Sequence, residues 1–319
     1  MTAYEDIEAL NWSSLKLMHT SPLLYRYRQS VPREDSSALR LGRAIHCAVL
    51  EPERWASDYI VEPDVNATTR AGKAERAQWL APLAARAGLS ESVVAQPDFG
   101  DQKYKANKDA KNTWRASFAG KARIIDGSED VAEFLPAGAE VLTADEHATA
   151  EACAAAIAAH THASAWLRGG RTEQVVTWTD PETGVKCKAR LDLSKAGGVV
   201  DLKSTRHHTV RQIAADCARY LYHGQLAWYH DGARAAGVLP HGADGPRIVA
   251  VSTVPPHDVA CFTMGVQGIE LGRRLYRKLL SDWLDCQASD WWPGMAPEPM
   301  ELPLPRWTPD GSEEDEGWE

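Results

Sequence analysis

The chain has 319 residues, 44% of them hydrophobic and 25% charged, with a formal net charge of −9. That length allows one large or two ordinary domains with a real core, and the composition excludes collagen-like, coiled-coil and wholly disordered chains. No apolar run approaches the ~18 residues of a membrane span, and Met1–Asp6 is not a signal-peptide start, so a cytoplasmic protein without membrane contact is expected.

The first hundred residues read as short helices broken by prolines. Ser13 and Ser14 can cap a short helix through Lys16, Leu17 and Met18, and Ser21–Pro22 restarts the chain as Leu23–Arg28. Ala38–Leu50 patterns as a buried helix, with Leu39, Ala44, Ile45, Ala48 and Val49 apolar, and Glu51–Pro52 ends it. Residues 64–75 and 96–112 lack periodicity and read as mobile loops. Residues 100–123 gather Lys103, Lys105, Lys108, Lys111, Arg115, Lys121 and Arg123 against Asp101 and Asp109, with Tyr104 and Trp114 interleaved. Such a stretch suits a phosphate backbone, and suits a solvated helix or loop surface equally.

From Asp145 the character changes. Asp145–Leu167 reads as one alanine-rich helix stopped by Gly169–Gly170. Thr172–Thr179 is strand-like, Asp180–Gly184 a turn, and Val185–Leu193 alternates as a half-buried strand. Ala196–Gly198 turns again into a strand at Val199–Ser204. Two helices follow within Thr209–Gly237, then strands at Arg247–Val254 and Val259–Met264 and a helix at Val266–Cys286. Strands, helices and further strands in that order predict an α/β or α+β core. We read residues 1–309 as one domain: a helical N-terminal region over 1–144, a core over 145–287 and a Pro/Trp-rich segment, 288–309, that wraps either a neighbouring subunit or its own core. Residues 310–319 hold six acids and no base, a disordered tail that accounts for most of the net charge. An acidic total, which argues against nucleic acid on its face, therefore does not exclude it.

The chemistry gathers at Asp192, near the end of one strand, and at Asp201 and Lys203 on the next. Asp201 and Lys203, two apart, share a face, and pairing across the hairpin can bring Asp192 alongside. Two carboxylates and an ammonium on apolar strands are costly unless they hold a cation and an anion. A hard divalent ion such as Mg²⁺ supplies the missing charge, leaving Lys203 to face an attacking water or a phosphate. Taken singly, each feature has a plainer reading. Asp201–Leu202–Lys203 is then an edge-strand ion pair, His46 a hydrogen-bonded core histidine, and Gln225 with Tyr229 a pair on one helix face. The six cysteines form no CxxC pair, so a zinc site or iron–sulfur cluster is not expected, and no P-loop implies ATP.

Taken together, Gly42…His46, Asp192, Asp201–Leu202–Lys203 and Gln225…Tyr229 resemble, in order, the RecB-like branch of the PD-(D/E)XK nuclease superfamily. Ser21–Pro22, Leu50–Glu51–Pro52, Glu173…Trp178, Thr183–Gly184 and Cys187–Lys188–Ala189–Arg190–Leu191–Asp192 extend the likeness to exodeoxyribonuclease VIII-like (RecE-type) phage and prophage nucleases. The resemblance implies a restriction-endonuclease-like core, a central mixed sheet flanked by helices. It implies Mg²⁺-dependent hydrolysis of linear double-stranded DNA, with Mn²⁺ able to substitute, resecting the 5′ strand to leave a 3′ strand for an annealing protein. Endonuclease or single-strand activity on the same fold, and a non-catalytic DNA-binding module, are the alternatives. Carried over, Asp192 and Asp201 are the principal metal ligands, with His46 and the Leu202 carbonyl beside them and Glu173 a weaker candidate. Lys203 activates water, while Gln225 and Tyr229 orient Lys203 or the phosphate. Lys103, Lys105, Lys108, Lys111, Arg115 and Arg190 are the expected DNA contacts, and the relatives' ring-shaped tetramers imply a homo-oligomer.

Overall fold

The computed structural model describes residues 3–31, 34–66, 68–86, 93–118, 122–136, 138–304 and 308. Lys121 and the acidic tail 310–319 lie outside them.

Strand β1 (Leu10–Asn11) and helix α1 (Trp12–Leu15) lead through a 3-10 turn at Lys16–His19 into α2 (Pro22–Ser30). Asn11, rather than Ser13 or Ser14, caps α1 by accepting from Ser14 N at 2.8 Å, and Ser21 caps α2. Helix α3 (Ser37–Leu50) buries Ala44, Ile45, Cys47 and Leu50 and stops before Pro52, the first residue of α4 (Pro52–Asp58).

Strand β2 (Tyr59–Val61), α5 (Arg70–Arg86), β3 (Val93–Ala95), α6 (Lys105–Ser117), β4 (Arg123–Ile125) and β5 (Glu140–Leu142) come next. β2 pairs with β5 and β3 with β4, both parallel. The two helices correct the expectation of loops over 70–75 and 105–112, while the described residues of 64–69 and 96–104 are irregular as expected. α5 declares its apolar face only beyond residue 75, where Ala77, Leu80 and Leu83 pack on Ile60, Ile125 and Phe134. α6 buries none of its residues, so it carries no core pattern; Trp114, four before Phe118 and 5.8 Å from Phe99, is its anchor.

Helices α7 (Ala144–Ala159) and α8 (Thr161–Leu167) replace the single helix expected over 145–167. His160 turns extended between them, and its Nδ1 accepts from Ala163 N to start α8. A side-chain cap there competes with continued helix.

The core follows as β6 (Arg171–Thr179), β7 (Lys186–Lys195), β8 (Gly198–Thr205), α9 (Val210–Arg219), α10 (Tyr222–Ala235), β9 (Arg247–Ser252), β10 (Val259–Thr263) and α11 (Val266–Ser289). The central mixed sheet runs β1-β7-β8-β9-β10, with β6 antiparallel to β7 and β8 parallel to β9. This is the mixed α/β architecture expected. On one face α10 and α11 bury Trp228, Tyr276 and Leu280. On the other, α3 and α7 bring Ile45, Cys153 and Ile157 onto Leu202, Val249 and Val251. Gly272 lets α11 approach α10, since a Cβ there would stand 2.1 Å from the His223 carbonyl oxygen. At the start of the 288–309 segment the chain folds back on itself, Trp292 stacking on Tyr25 at 5.5 Å and the Pro293 carbonyl accepting from Leu23 N at 3.0 Å. Among the described residues, no helix is long and apolar enough to cross a membrane.

Candidate active site

The site is a fork between two strands. β7 and β8 pair only at Leu193↔Val200, Ser194↔Val199 and Lys195↔Gly198, next to their turn. Beyond, β8 continues along β9 while β7 continues along β6. Asp192 is the first residue past the pairing, and its Oδ2 accepts from Leu202 N at 2.8 Å in place of a ladder bond. A residue on an extended strand points its N–H and C=O to the same side, so the Leu202 carbonyl faces the fork too.

Two further groups converge on Asp192. His46, on the buried face of α3, brings Nδ1 to 3.7 Å from Asp192 Oδ2. Glu173 sits on β6 opposite Asp192, between the pairs Thr172↔Leu193 and Gln174↔Leu191, and leaves the ladder with φ of 48°. A non-glycine residue held there costs ~1–3 kcal/mol and persists where the surroundings impose it, often at functional sites. His46, Glu173 and Asp192 each offer a ligand atom, all within 4.8 Å of one another. Glu173, the weaker candidate in the sequence, thus stands in the tightest group.

Asp201 is set deeper and outside that trio. It is 1% exposed, on the sheet face under α10. Lys203 Nζ lies 2.6 Å from Asp201 Oδ2 and forms a buried ion pair with it. Gln225 Nε2 reaches Asp201 Oδ1 at 3.4 Å and Tyr229 Oη at 3.0 Å, so Gln225 and Tyr229 brace Asp201 rather than grip Lys203. The Tyr222 ring lies 5.0 Å from Lys203 Nζ. Sequence reasoning misses Tyr222, although its place three residues before Gln225 puts it on the same helix face.

Burial raises the Asp201 carboxyl to about 6, against the pull of Lys203 and with the push of Asp192. Burial disfavours the Lys203 ammonium, but the Asp201 and Asp192 carboxylates outweigh it and hold its pKa above the ordinary lysine value. Lys203 is therefore a fixed cation. Burial, then Asp192, pushes Glu173 up to about 7.

These donors fit a divalent cation. A glutamate driven toward its neutral form by burial and a neighbouring carboxylate, and an imidazole beside two acids, form a donor set that a bound cation would stabilise. Both raised acids bind a proton more tightly folded than unfolded, so their stabilising contribution is present below about pH 4 and is lost as pH rises through about 6 to 7. Their titration is expected to lower the metal-free protein's Tm between about pH 5.5 and about pH 8, and Mg²⁺ to restore more of it at the higher pH. Thermal unfolding with and without Mg²⁺ checks this; an increment no larger at the higher pH contradicts it.

The surrounding cleft, of about 760 Å³, is lined by Gly42, His46, Glu173, Asp192, Lys203, Gln225 and Tyr229 among others. Arg190 lines it as well, its Nε 2.9 Å from Glu173 Oε2. Lys103, Lys105, Lys108, Lys111 and Arg115 do not: they lie on α6 and the turn before it, exposed apart from half-buried Lys111, and Arg115 donates to Gln96. The expected DNA contacts thus divide between the cleft and a separate basic surface.

A family model described as "PDDEXK-like domain of unknown function (DUF3799)" matches residues 12–299. No curated protein matches the chain. Among solved structures, a protein from Eubacterium rectale described as a "Putative exonuclease" aligns over 96% of this chain and 96% of its own, at a TM-score of 0.51 and 13% identity. That likeness is one of fold.

Proposed function

We propose a divalent-metal-dependent deoxyribonuclease, because the chain belongs to the PDDEXK-like domain family (DUF3799) and its strand fork brings the acids, histidine and lysine of such chemistry together. PDDEXK nucleases generally use divalent metals, and a nuclease is the coarse reading. The finer one is an exonuclease that takes linear duplex DNA from its ends, resecting the 5′ strand. A homo-oligomeric ring and an annealing protein that receives the 3′ strand belong to that finer reading, through the resemblance to RecE-type enzymes.

The observation that carries the reading is the fork, where His46, Glu173 and Asp192 stand within 4.8 Å beside the buried Asp201–Lys203 pair. Asp192, Asp201, His46 and Glu173, with the Leu202 carbonyl, would hold the ion. Bound there, Mg²⁺ supplies Lewis-acid polarisation of the phosphate and a more acidic water. Lys203, kept protonated, offers its ammonium to the charge that builds on the phosphoryl oxygens rather than taking a proton from water. Gln225 and Tyr229 keep the Asp201 carboxylate in register with that ammonium. Arg190 gives the cleft a guanidinium for the next phosphate, and the α6 lysines a place for duplex backbone farther away.

The test compares end-labelled linear duplex, covalently closed circular duplex and single strand in Mg²⁺. Nucleotide release from linear duplex with the circle intact is the expected result. Cutting of the closed circle would replace the exonuclease with an endonuclease.

A further inference from the structure

Lys188 is a charged side chain sealed in the molecule at 5% exposure, and the chemistry above does not use it. Among the described residues it forms no ion pair. Its ammonium donates instead to the backbone carbonyls of Tyr4 at 2.7 Å, Ile7 at 2.9 Å and Glu5 at 3.5 Å. An ammonium has three protons, and here three carbonyls of one segment receive them. A buried charge solvated in this way holds its carbonyl partners in place, because losing them would leave it uncompensated. The segment is Ala3–Ala9, which runs on into β1 and its parallel pairing with Cys187 and Lys188.

What the segment brings with it is Tyr4. The Tyr4 ring lies 4.5 Å from Lys188 Nζ and 5.4 Å from Arg190 Cζ, and Tyr4 and Glu5 line the cleft that contains Asp192. Lys188, Arg190 and Asp192 alternate along one face of β7, so a single strand carries the anchor, a cleft arginine and an acid of the fork. Beyond Tyr4 the segment exposes Glu5, Asp6 and Glu8, whose charge opposes a phosphate chain continuing past this point. An aromatic face paired with a guanidinium, closed off by acids, suits one terminal nucleotide rather than a through-running track: stacking accepts any base and the guanidinium its phosphate.

We infer that Lys188 is a positioning residue that latches Ala3–Ala9 over the cleft, and that Tyr4 with Arg190 forms the contact for an unpaired nucleotide at a DNA end. The nucleic-acid half of this inference rests on the nuclease reading.

Two measurements on the full chain test it. In hydrogen exchange, Lys188→Met is expected to raise exchange of the amides of residues 4–9, and unchanged exchange would overturn the latch. In fluorescence anisotropy with Ca²⁺ in place of Mg²⁺, the probe is a duplex with a short unpaired end. Tyr4→Ala is expected to weaken its binding about tenfold, with Tyr4→Trp retaining it. Tyr27→Ala, on α2 and away from the cleft, should bind as wild type does. Loss with both Tyr4 variants, no loss with Tyr4→Ala, or no binding by the wild type would each overturn the nucleotide contact. Tyr4→Ala leaves the core untouched, so this arm stands even if Lys188→Met folds poorly. Wild-type protein that binds the frayed end yet hydrolyses nothing in Mg²⁺ would remove the nuclease reading and leave the inference in place. Protein that cuts DNA while Tyr4→Ala binds normally would remove the inference alone.

Discussion

Asp192→Asn is expected to lower DNA hydrolysis by ~10³-fold or more while leaving the fold intact. The asparagine amide oxygen can still accept from Leu202 N, the 2.8 Å bond that bridges the open fork, so the backbone at β7 and β8 keeps its partner. What the substitution removes is the charge that His46 and Glu173 face at the centre of the trio. A loss of 10³ corresponds to about 4 kcal/mol of transition-state stabilisation, within the several kcal/mol a metal supplies to phosphoryl charge. Single-turnover hydrolysis with titration calorimetry of Mg²⁺ checks it, and a variant with near-normal rate would remove Asp192 from the ligand set. Asp192→Ala should in addition lose ~1–3 kcal/mol of stability, since Leu202 N is then left without an acceptor. The pair of variants separates the two jobs of one carboxylate.

Lys203→Met is the second large effect, and it reaches stability as well as activity. Asp201 is 1% exposed, and Lys203 is the positive charge 2.6 Å from it. Removing one partner of a buried pair costs ~3–5 kcal/mol, because the survivor keeps its desolvation penalty without compensation. Without Lys203 the Asp201 pKa, already raised by burial, rises further, so the deficit should grow as pH increases and shrink on acidification. The double variant Asp201→Asn with Lys203→Met replaces the pair by neutral groups and should recover much of the stability but none of the turnover. Urea unfolding of the two singles and the double gives the coupling directly. A Lys203→Met protein as stable as wild type, at neutral pH and in the absence of metal, would show that the pair is not electrostatically closed.

The features of this site that were legible in the sequence are those carried by local periodicity. Alternation in Val185–Leu193 and Val199–Ser204 placed Asp201 and Lys203 on one face, and the helical pattern of Ala38–Leu50 put His46 on a buried helix. Spacing four apart brought Gln225 and Tyr229 together on α10. What alternation could not supply is where strands separate. The fork exists because β7 follows β6 and β8 follows β9, a choice made by long-range packing. Glu173 shows the same limit more sharply: alternation in Thr172–Thr179 gives no sign that it leaves the ladder with φ of 48°. Nor does a strand pattern tell that α10 will seal the face bearing Asp201, which makes the Asp201–Lys203 pair a buried one. Helix α6 was illegible for the opposite reason: it buries none of its residues, and its inner face is marked by little beyond Trp114 and Phe118, four apart. Tyr4 offered no signal at all; the Lys188 ammonium, reaching back 184 positions to its carbonyl, and the Arg190 guanidinium over its ring tie the segment to the cleft.

On the proposed function, this fork hydrolyses phosphodiesters with a divalent ion. Uniformly labelled linear duplex incubated with the purified chain in Mg²⁺, and in parallel in EDTA, measures it most directly. Acid-soluble nucleotide should accumulate in Mg²⁺, stop in EDTA and resume when Mg²⁺ is restored. Release that continues unchanged in EDTA, or no release in either Mg²⁺ or Mn²⁺, would contradict it.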